Sequence, residues 1–94
     1  MTLDEFKHSL NEALPPENLS ICLLSLWHDG KEDWISAHDL VDSLTNTDAA
    51  HVHAYLHRKE GDLSNANYWY RRAGQKMPTY ELQKEWEELV QLFL

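Results

Sequence analysis

Residues 51–78 constrain the fold more than any other part of the chain, because they read as one complete helix–turn–helix unit. Gly61 and Asp62 supply a turn between two helical patterns, and Gly61 is expected to adopt the left-handed conformation that ends a helix. Ala66 and Tyr70, four residues apart, share the inward face of the second helix. The apolar spacing elsewhere also fits helices and no strand, so the sequence predicts an all-α protein.

Periodicity predicts about six helices in one domain that covers residues 1–94. An N-terminal capping helix is expected within residues 1–17, two helical-hairpin repeats within 18–78, and a C-terminal capping helix within 79–94. The loops are short, so neighbouring helices are expected to pack antiparallel.

Both terminal helices carry start or stop signals. The first helix is expected to begin at a capping box on Thr2 and to end before Pro15, with an apolar stripe that reaches Leu14. Thr79 is expected to cap the last helix. The final residues, Leu92 to Leu94, are too apolar to remain free, and two uses fit them: docking onto the domain, or a homodimer contact through the C-terminal helix.

The two hairpins form an internal repeat. Its copies are Asp33-Trp34-x-x-Ala37-x-x-x-Val41 and Asp62-Leu63-x-x-Ala66-x-x-x-Tyr70, with a period of 29 residues. The second copy, an alanine followed four residues later by an aromatic residue and then by Pro78, resembles the end of a tetratricopeptide repeat (TPR). The departures are the period, usually about 34 residues, and the absence of the Trp-Leu-Gly signature of the first helix from both copies. The pattern therefore predicts a TPR-like, right-handed array of helical hairpins.

Charge is divided unevenly along this acidic chain. The net charge is −8, yet residues 49–78 carry +3 against −8 in residues 1–48 and −3 in residues 79–94. The overall acidity argues against nucleic-acid binding, which requires a basic surface. The basic segment has two interpretations, pairing with the acidic flanks or binding an acidic partner.

The expected cellular location is inferred from the lack of a predicted membrane helix and of a targeting peptide. No apolar run approaches the length of about 20 residues that a membrane helix needs. The acidic N-terminus fits no targeting peptide, so a cytoplasmic location is expected. The single cysteine, Cys22, lies in an apolar run and is expected to be a buried thiol.

No standard catalytic motif and no cofactor-binding motif is present. The histidines offer one chemical alternative, because His53 and His57 are four residues apart on one helix face. A transition metal there needs a third ligand, and His38 or His28 on a preceding helix is better placed than Glu60. The competing interpretation is that one histidine is a hydrogen-bonded core residue and the other lies at the surface. Convergence of these side chains on one point would favour the metal.

The basic segment is also rich in aromatic residues. Its candidate binding residues are Arg58, Glu60, Asn65, Tyr68, Trp69, Arg71 and Arg72. Arginines beside exposed aromatic rings are typical of interaction surfaces, and Tyr68 is expected to be partly exposed. The structural alternative is that Glu60 pairs with Arg71 or Arg72 across the turn.

At LHRKEGDLSNANYWYRRAG, residues 56–74, the chain resembles a small uncharacterised all-helical family. The resemblance covers residues 20–75 and includes Trp34 and the Ala37-His38 pair. It implies a TPR-like fold and supplies no catalytic residues. It also implies that the polar residues around the turn form one hydrogen-bonded cluster. The members of that cluster are His38, His53, His57, Arg58, Glu60 and Asn65.

Together these features predict a non-enzymatic interaction module that binds an acidic peptide or a partner subunit through its basic aromatic patch. The alternative is a small enzyme or metal-binding protein that uses the cluster of His38, His53, His57 and Glu60.

Overall fold

A computed structural model describes the whole chain, Met1–Leu94. It contains six helices and no strands, so the predicted all-α class and helix number are confirmed. The helices are α1 (Leu3–Ser9), α2 (Ile21–Gly30), α3 (Trp34–Val41), α4 (Thr47–Glu60), α5 (Leu63–Arg72) and α6 (Leu82–Phe93). No helix combines the length and the apolarity that crossing a membrane requires.

Most helices begin where a short polar side chain accepts a hydrogen bond from a free backbone N–H. Thr2 forms the predicted capping box with Glu5 at the start of α1. Ser20, Asp33, Asn46 and Asp62 cap the next four helices. Gly61 ends α4 with a φ of 89°, as the turn pattern predicts.

The prediction for the N-terminal helix was wrong in its extent. Helix α1 ends at Ser9, and Leu14 is 77% exposed instead of completing an apolar stripe. Beyond α1, Leu10, Asn11 and Glu12 donate backbone hydrogen bonds of the tighter i→i−3 type. The Lys31 amine donates to the free carbonyls of Leu10 and Glu12. Pro15 further disfavours a helical conformation at Leu14.

The last helix also starts later than expected. Helix α6 begins at Leu82 after Glu81, and Thr79 is exposed and does not cap it. The Arg58 guanidinium donates to the backbone carbonyl of Tyr80, so a side chain of α4 fixes the segment before α6. The sequence contains no local sign of this tertiary contact.

Helix α4 is the central element, because its buried residues contribute to both apolar clusters. The main cluster joins α1, α2, α3, α4 and α6, with Phe6, Leu26 and Leu56 fully buried in it. A second cluster joins Ala54 of α4 to Ala66 and Tyr70 of α5. The alanines at equivalent positions of the repeat, Ala37 and Ala66, are both 0% exposed, as expected at close helix crossings.

Candidate functional site

Three histidines converge at the junction of α3, α4 and α5. His38 lies on α3, and His53 and His57 lie one turn apart on α4. The ring centroids are 4.8 Å apart for His38 and His53, 5.1 Å for His38 and His57, and 4.7 Å for His53 and His57. One ring nitrogen from each residue lies within 4.8 Å of the other two.

Two tryptophans form opposite walls of this histidine cluster. Trp34 stacks on His38 with ring centroids 4.7 Å apart, and Trp69 stacks on His53 at 4.1 Å. His53 is 2% exposed and His57 is 6% exposed. The His38 side chain is 18% exposed, so the cluster meets solvent on the α3 side.

The hydrogen bonds of His57 fix its tautomer. Its Nδ1 lies 2.7 Å from a carboxylate oxygen of Glu60, and an ionised carboxylate only accepts, so Nδ1 carries the proton. The Asn65 side-chain amide therefore donates to Nε2 at 3.3 Å. Glu60 and Asn65, both predicted members of the polar cluster, thus orient one imidazole.

The hydrogen bonding of His38 and His53 is less complete than that of His57. Their Nε2 atoms are 3.1 Å apart, so one donates and the other accepts when both rings are neutral. The Nδ1 atom of His53 is buried and has no hydrogen-bond partner. Desolvation, together with the neighbouring His57 and His38, lowers the pKa of His53 to about 4. The ring is consequently a neutral base at physiological pH.

This arrangement has the chemistry of a transition-metal site. Neutral imidazole nitrogens are ligands for zinc, copper, nickel and iron, and ligation requires that they carry no extra proton. Zinc bonds of 2.0–2.1 Å at tetrahedral angles place ligand nitrogens about 3.3–3.4 Å apart, close to the observed 3.1 Å between His38 and His53. The bond from His57 to Glu60 matches the carboxylate contact that commonly orients metal-bound histidines.

His57, Glu60 and Asp62 form a second group with the spacing of metal ligands. Glu60 already accepts from His57, and Asp62 caps α5. Both carboxylates are exposed, which is common for acidic residues without any ion. His28, the other candidate third ligand, lies outside both groups and packs edge-on against Trp27.

Arg58 is occupied by contacts within the fold. Its guanidinium donates to a carboxylate oxygen of Glu85 at 2.8 Å, and the Glu85 side chain is only 3% exposed. Tyr70 donates its hydroxyl to the other oxygen of the same carboxylate at 2.6 Å. Glu85 therefore ties α6 to α4 through Arg58 and to α5 through Tyr70. The predicted pairing of Glu60 with Arg71 or Arg72 is also wrong, because Glu60 accepts from His57 instead.

The remaining aromatic and basic residues do lie together on α5. Tyr68 is 50% exposed, as expected, and it accepts a hydrogen bond from Arg72 at 3.2 Å. The Arg72 guanidinium also lies 5.4 Å from the centre of a Trp69 ring. Neither Arg71 nor Arg72 pairs with a carboxylate. Tyr68, Trp69, Arg71 and Arg72 are called the α5 patch below.

The largest cleft lies elsewhere and is lined by none of the predicted site residues. Its volume is about 480 Å³, and His51, Lys76, Met77, Tyr80, Glu88 and Leu92 are among its lining residues. Desolvation lowers the pKa of His51 below its ordinary value. Of the C-terminal residues that were predicted to dock onto the domain, Phe93 packs against the core, whereas Leu92 and Leu94 remain exposed.

Two contributors to the histidine cluster, Trp34 and Asp42, were not predicted as site residues. Trp34 and Trp69 wall the rings, although only Trp69 carried a binding role in the sequence interpretation. Asp42 places a carboxylate oxygen 3.7 Å from Nε2 of His38 and 3.9 Å from Nε2 of His53. The spacing of four residues between His38 and Asp42 on one helix was the available signal.

Comparison of the chain with protein-family models, with curated proteins and with solved structures gives no significant match.

Proposed function

We propose that this chain is a small metal-binding protein in which His38, His53 and His57 hold one divalent transition-metal ion, with Nε2 of His57 exchanging its 3.3 Å hydrogen bond from Asn65 for the ion. The proposal rests on the convergence of three imidazoles, two of them buried, with ligand nitrogens within 4.8 Å of one another. Zinc is the ion that the donor set fits best, because three histidine nitrogens are a common zinc ligand set.

Energetics support a bound ion. An ion that binds only the folded state stabilises it by mass action. The metal would link α3 to α4 through side chains that otherwise contribute one weak histidine–histidine hydrogen bond.

The proposal includes the finer architecture, a single TPR-like domain with a right-handed stack of antiparallel helical hairpins. Its support is the repeated alanine at Ala37 and Ala66, both fully buried, together with the Gly61 turn between α4 and α5. In such an array, the histidine cluster would lie where the first hairpin meets the second.

Zinc titration tests the function directly. Protein purified in EDTA and freed of chelator should bind one zinc ion per chain in calorimetry or in competition with a chromogenic chelator. His53→Ala and His57→Ala should each weaken binding by at least about 100-fold, since each removes a ligand. His8→Ala, which removes an exposed histidine from α1, is the matched control. Equal zinc affinity in the His53 variant and the control would refute the metal site.

A second function, binding of an acidic peptide or partner subunit, is supported by the α5 patch. Arg71 and Arg72 are exposed and form no ion pair in a chain whose net charge is −8. Unpaired arginines beside Tyr68 and Trp69 offer bidentate hydrogen bonds to carboxylates together with ring contacts.

Fluorescence anisotropy with a labelled Asp- and Glu-rich peptide tests this second function. Arg71→Gln and Arg72→Gln should each weaken binding, and added salt should weaken it further. Lys84→Gln on α6 is the control because it removes one positive charge outside the patch. Binding that changes equally in all three variants would indicate a general charge effect and no specific patch.

A further inference from the structure

Asp42 lies beside two histidine nitrogens and pairs with no permanently charged side chain. It is the C-cap residue of α3, where a negative charge opposes the helix dipole. Its side chain is 62% exposed and meets no lysine or arginine. The groups closest to its carboxylate are the Nε2 atoms of His38 and His53.

The positions of these three atoms fit one metal ion. The distances are 3.1 Å between the two histidine nitrogens, 3.7 Å from His38 to Asp42, and 3.9 Å from His53 to Asp42. The point equidistant from all three atoms lies about 2.1 Å from each, which matches the bond lengths of zinc to histidine nitrogen and carboxylate oxygen. A tetrahedral site would bring the Asp42 oxygen closer by about 0.5 Å, a small rotamer change for an exposed side chain.

We propose that Asp42 is a direct ligand of the metal, so that its carboxylate and the three histidines complete a four-coordinate site. This inference rests on the proposed metal-binding function. It assigns the site to the closed class, in which four protein ligands leave no position for a substrate. The ion would then fix α3 against α4 and would not catalyse a reaction. A divalent ion bound by the three histidines would also give the Asp42 carboxylate a positively charged partner.

Asp42→Asn tests the assignment, because the amide has a similar shape and no charge. The variant should bind zinc at least about 100-fold more weakly than the wild type, as expected when a ligand is replaced. Asp39→Asn is the matched control, since Asp39 is exposed on the same helix and forms no ion pair. Neither change should unfold the metal-free protein, which melting in EDTA will verify.

The visible absorption spectrum of bound cobalt(II) provides a second measurement, because a general charge effect would leave this spectrum unchanged. The wild type and Asp39→Asn should give the intense visible absorption of a four-coordinate ion, and Asp42→Asn should give a weaker or shifted band. Zinc affinity and a cobalt spectrum unchanged in Asp42→Asn, in a protein that still loses zinc in His53→Ala, would overturn the Asp42 assignment and leave the metal-binding function standing. Absence of zinc binding in the wild type would refute both.

Discussion

Replacing Arg58 with methionine should destabilise the protein strongly, because it leaves a buried carboxylate without its cation. Glu85 is 2% exposed and receives hydrogen bonds from Arg58 and Tyr70 only. The methionine keeps an apolar side chain of similar length, so most of the packing survives while the charge and the donors are lost. The same change releases the backbone carbonyl of Tyr80, which fixes the segment before α6.

The magnitude follows from the burial of this pair. Breaking a buried ion pair on one side costs about 3–5 kcal/mol. The hydroxyl of Tyr70 still binds Glu85, so the lower end, about 3 kcal/mol, is expected for Arg58→Met. In a domain of this size 1 kcal/mol corresponds to about 4–8 °C, so the Tm should fall by about 12–24 °C.

Urea unfolding followed by tryptophan fluorescence measures this loss. The Arg71→Met variant is the control, because Arg71 is exposed, forms no ion pair and should change the free energy of unfolding by less than about 0.5 kcal/mol. The double variant Arg58→Met, Glu85→Gln should recover at least about 1 kcal/mol, because the neutral amide no longer needs a cation. An Arg58→Met loss as small as that of the control would refute the reasoning and return Arg58 to the candidate binding residues.

Three further perturbations have expected outcomes that follow from the structure. Gly61→Ala should lower the free energy of unfolding, measured in urea, by about 1 kcal/mol, because φ at this position is 89° and a side chain strains that conformation. The added Cβ meets no atom within 4 Å, so no steric clash adds to this cost, and no loss of stability would contradict a left-handed turn. Keeping His53 neutral in EDTA contributes about 3 kcal/mol to the free energy of unfolding, because its pKa is about 4 in the folded protein and about 6.5 in the unfolded chain. This contribution is fully present above pH 6.5 and is lost as the pH falls towards 4. His53→Gln should remove that part of the pH dependence, and an identical pH profile would exclude it. Burial raises the pKa of Cys22 to about 11, so a thiol reagent should react only after unfolding; rapid labelling of the folded protein would show an accessible thiol.

Local sequence signals predicted the helices well where the determining contacts lie within a few residues. The capping box on Thr2, the cap at Asp62 and the left-handed Gly61 all depend on backbone groups at most one turn away. The burial of Cys22 and Ala66 followed from apolar spacing in the same way. The ends of α1 and α6 were misplaced because Lys31 and Arg58, distant in sequence, bind the carbonyls that decide them.

The candidate site was predicted in its residue types but not in its grouping. Spacing of four residues placed His53 and His57 on one helix face, and of the two candidate third ligands, His38 and His28, the structure brings His38 to them. The ion pair of Arg58 with Glu85, 27 residues away, was not anticipated. Asp42 went unrecognised as a partner of His53 because the two meet only when α3 packs on α4.

The sequence by itself determined that this chain is helical, where most helices begin, and which residue types surround the Gly61 turn, because periodicity and capping are short-range effects. Only the tertiary structure decided which polar side chains face each other. It paired Arg58 with the buried Glu85, left Arg71 and Arg72 exposed, and brought Nε2 of His38 to 3.1 Å from Nε2 of His53. Such pairings depend on how separate helices cross, and a crossing is set by packing over the whole core that no local pattern contains.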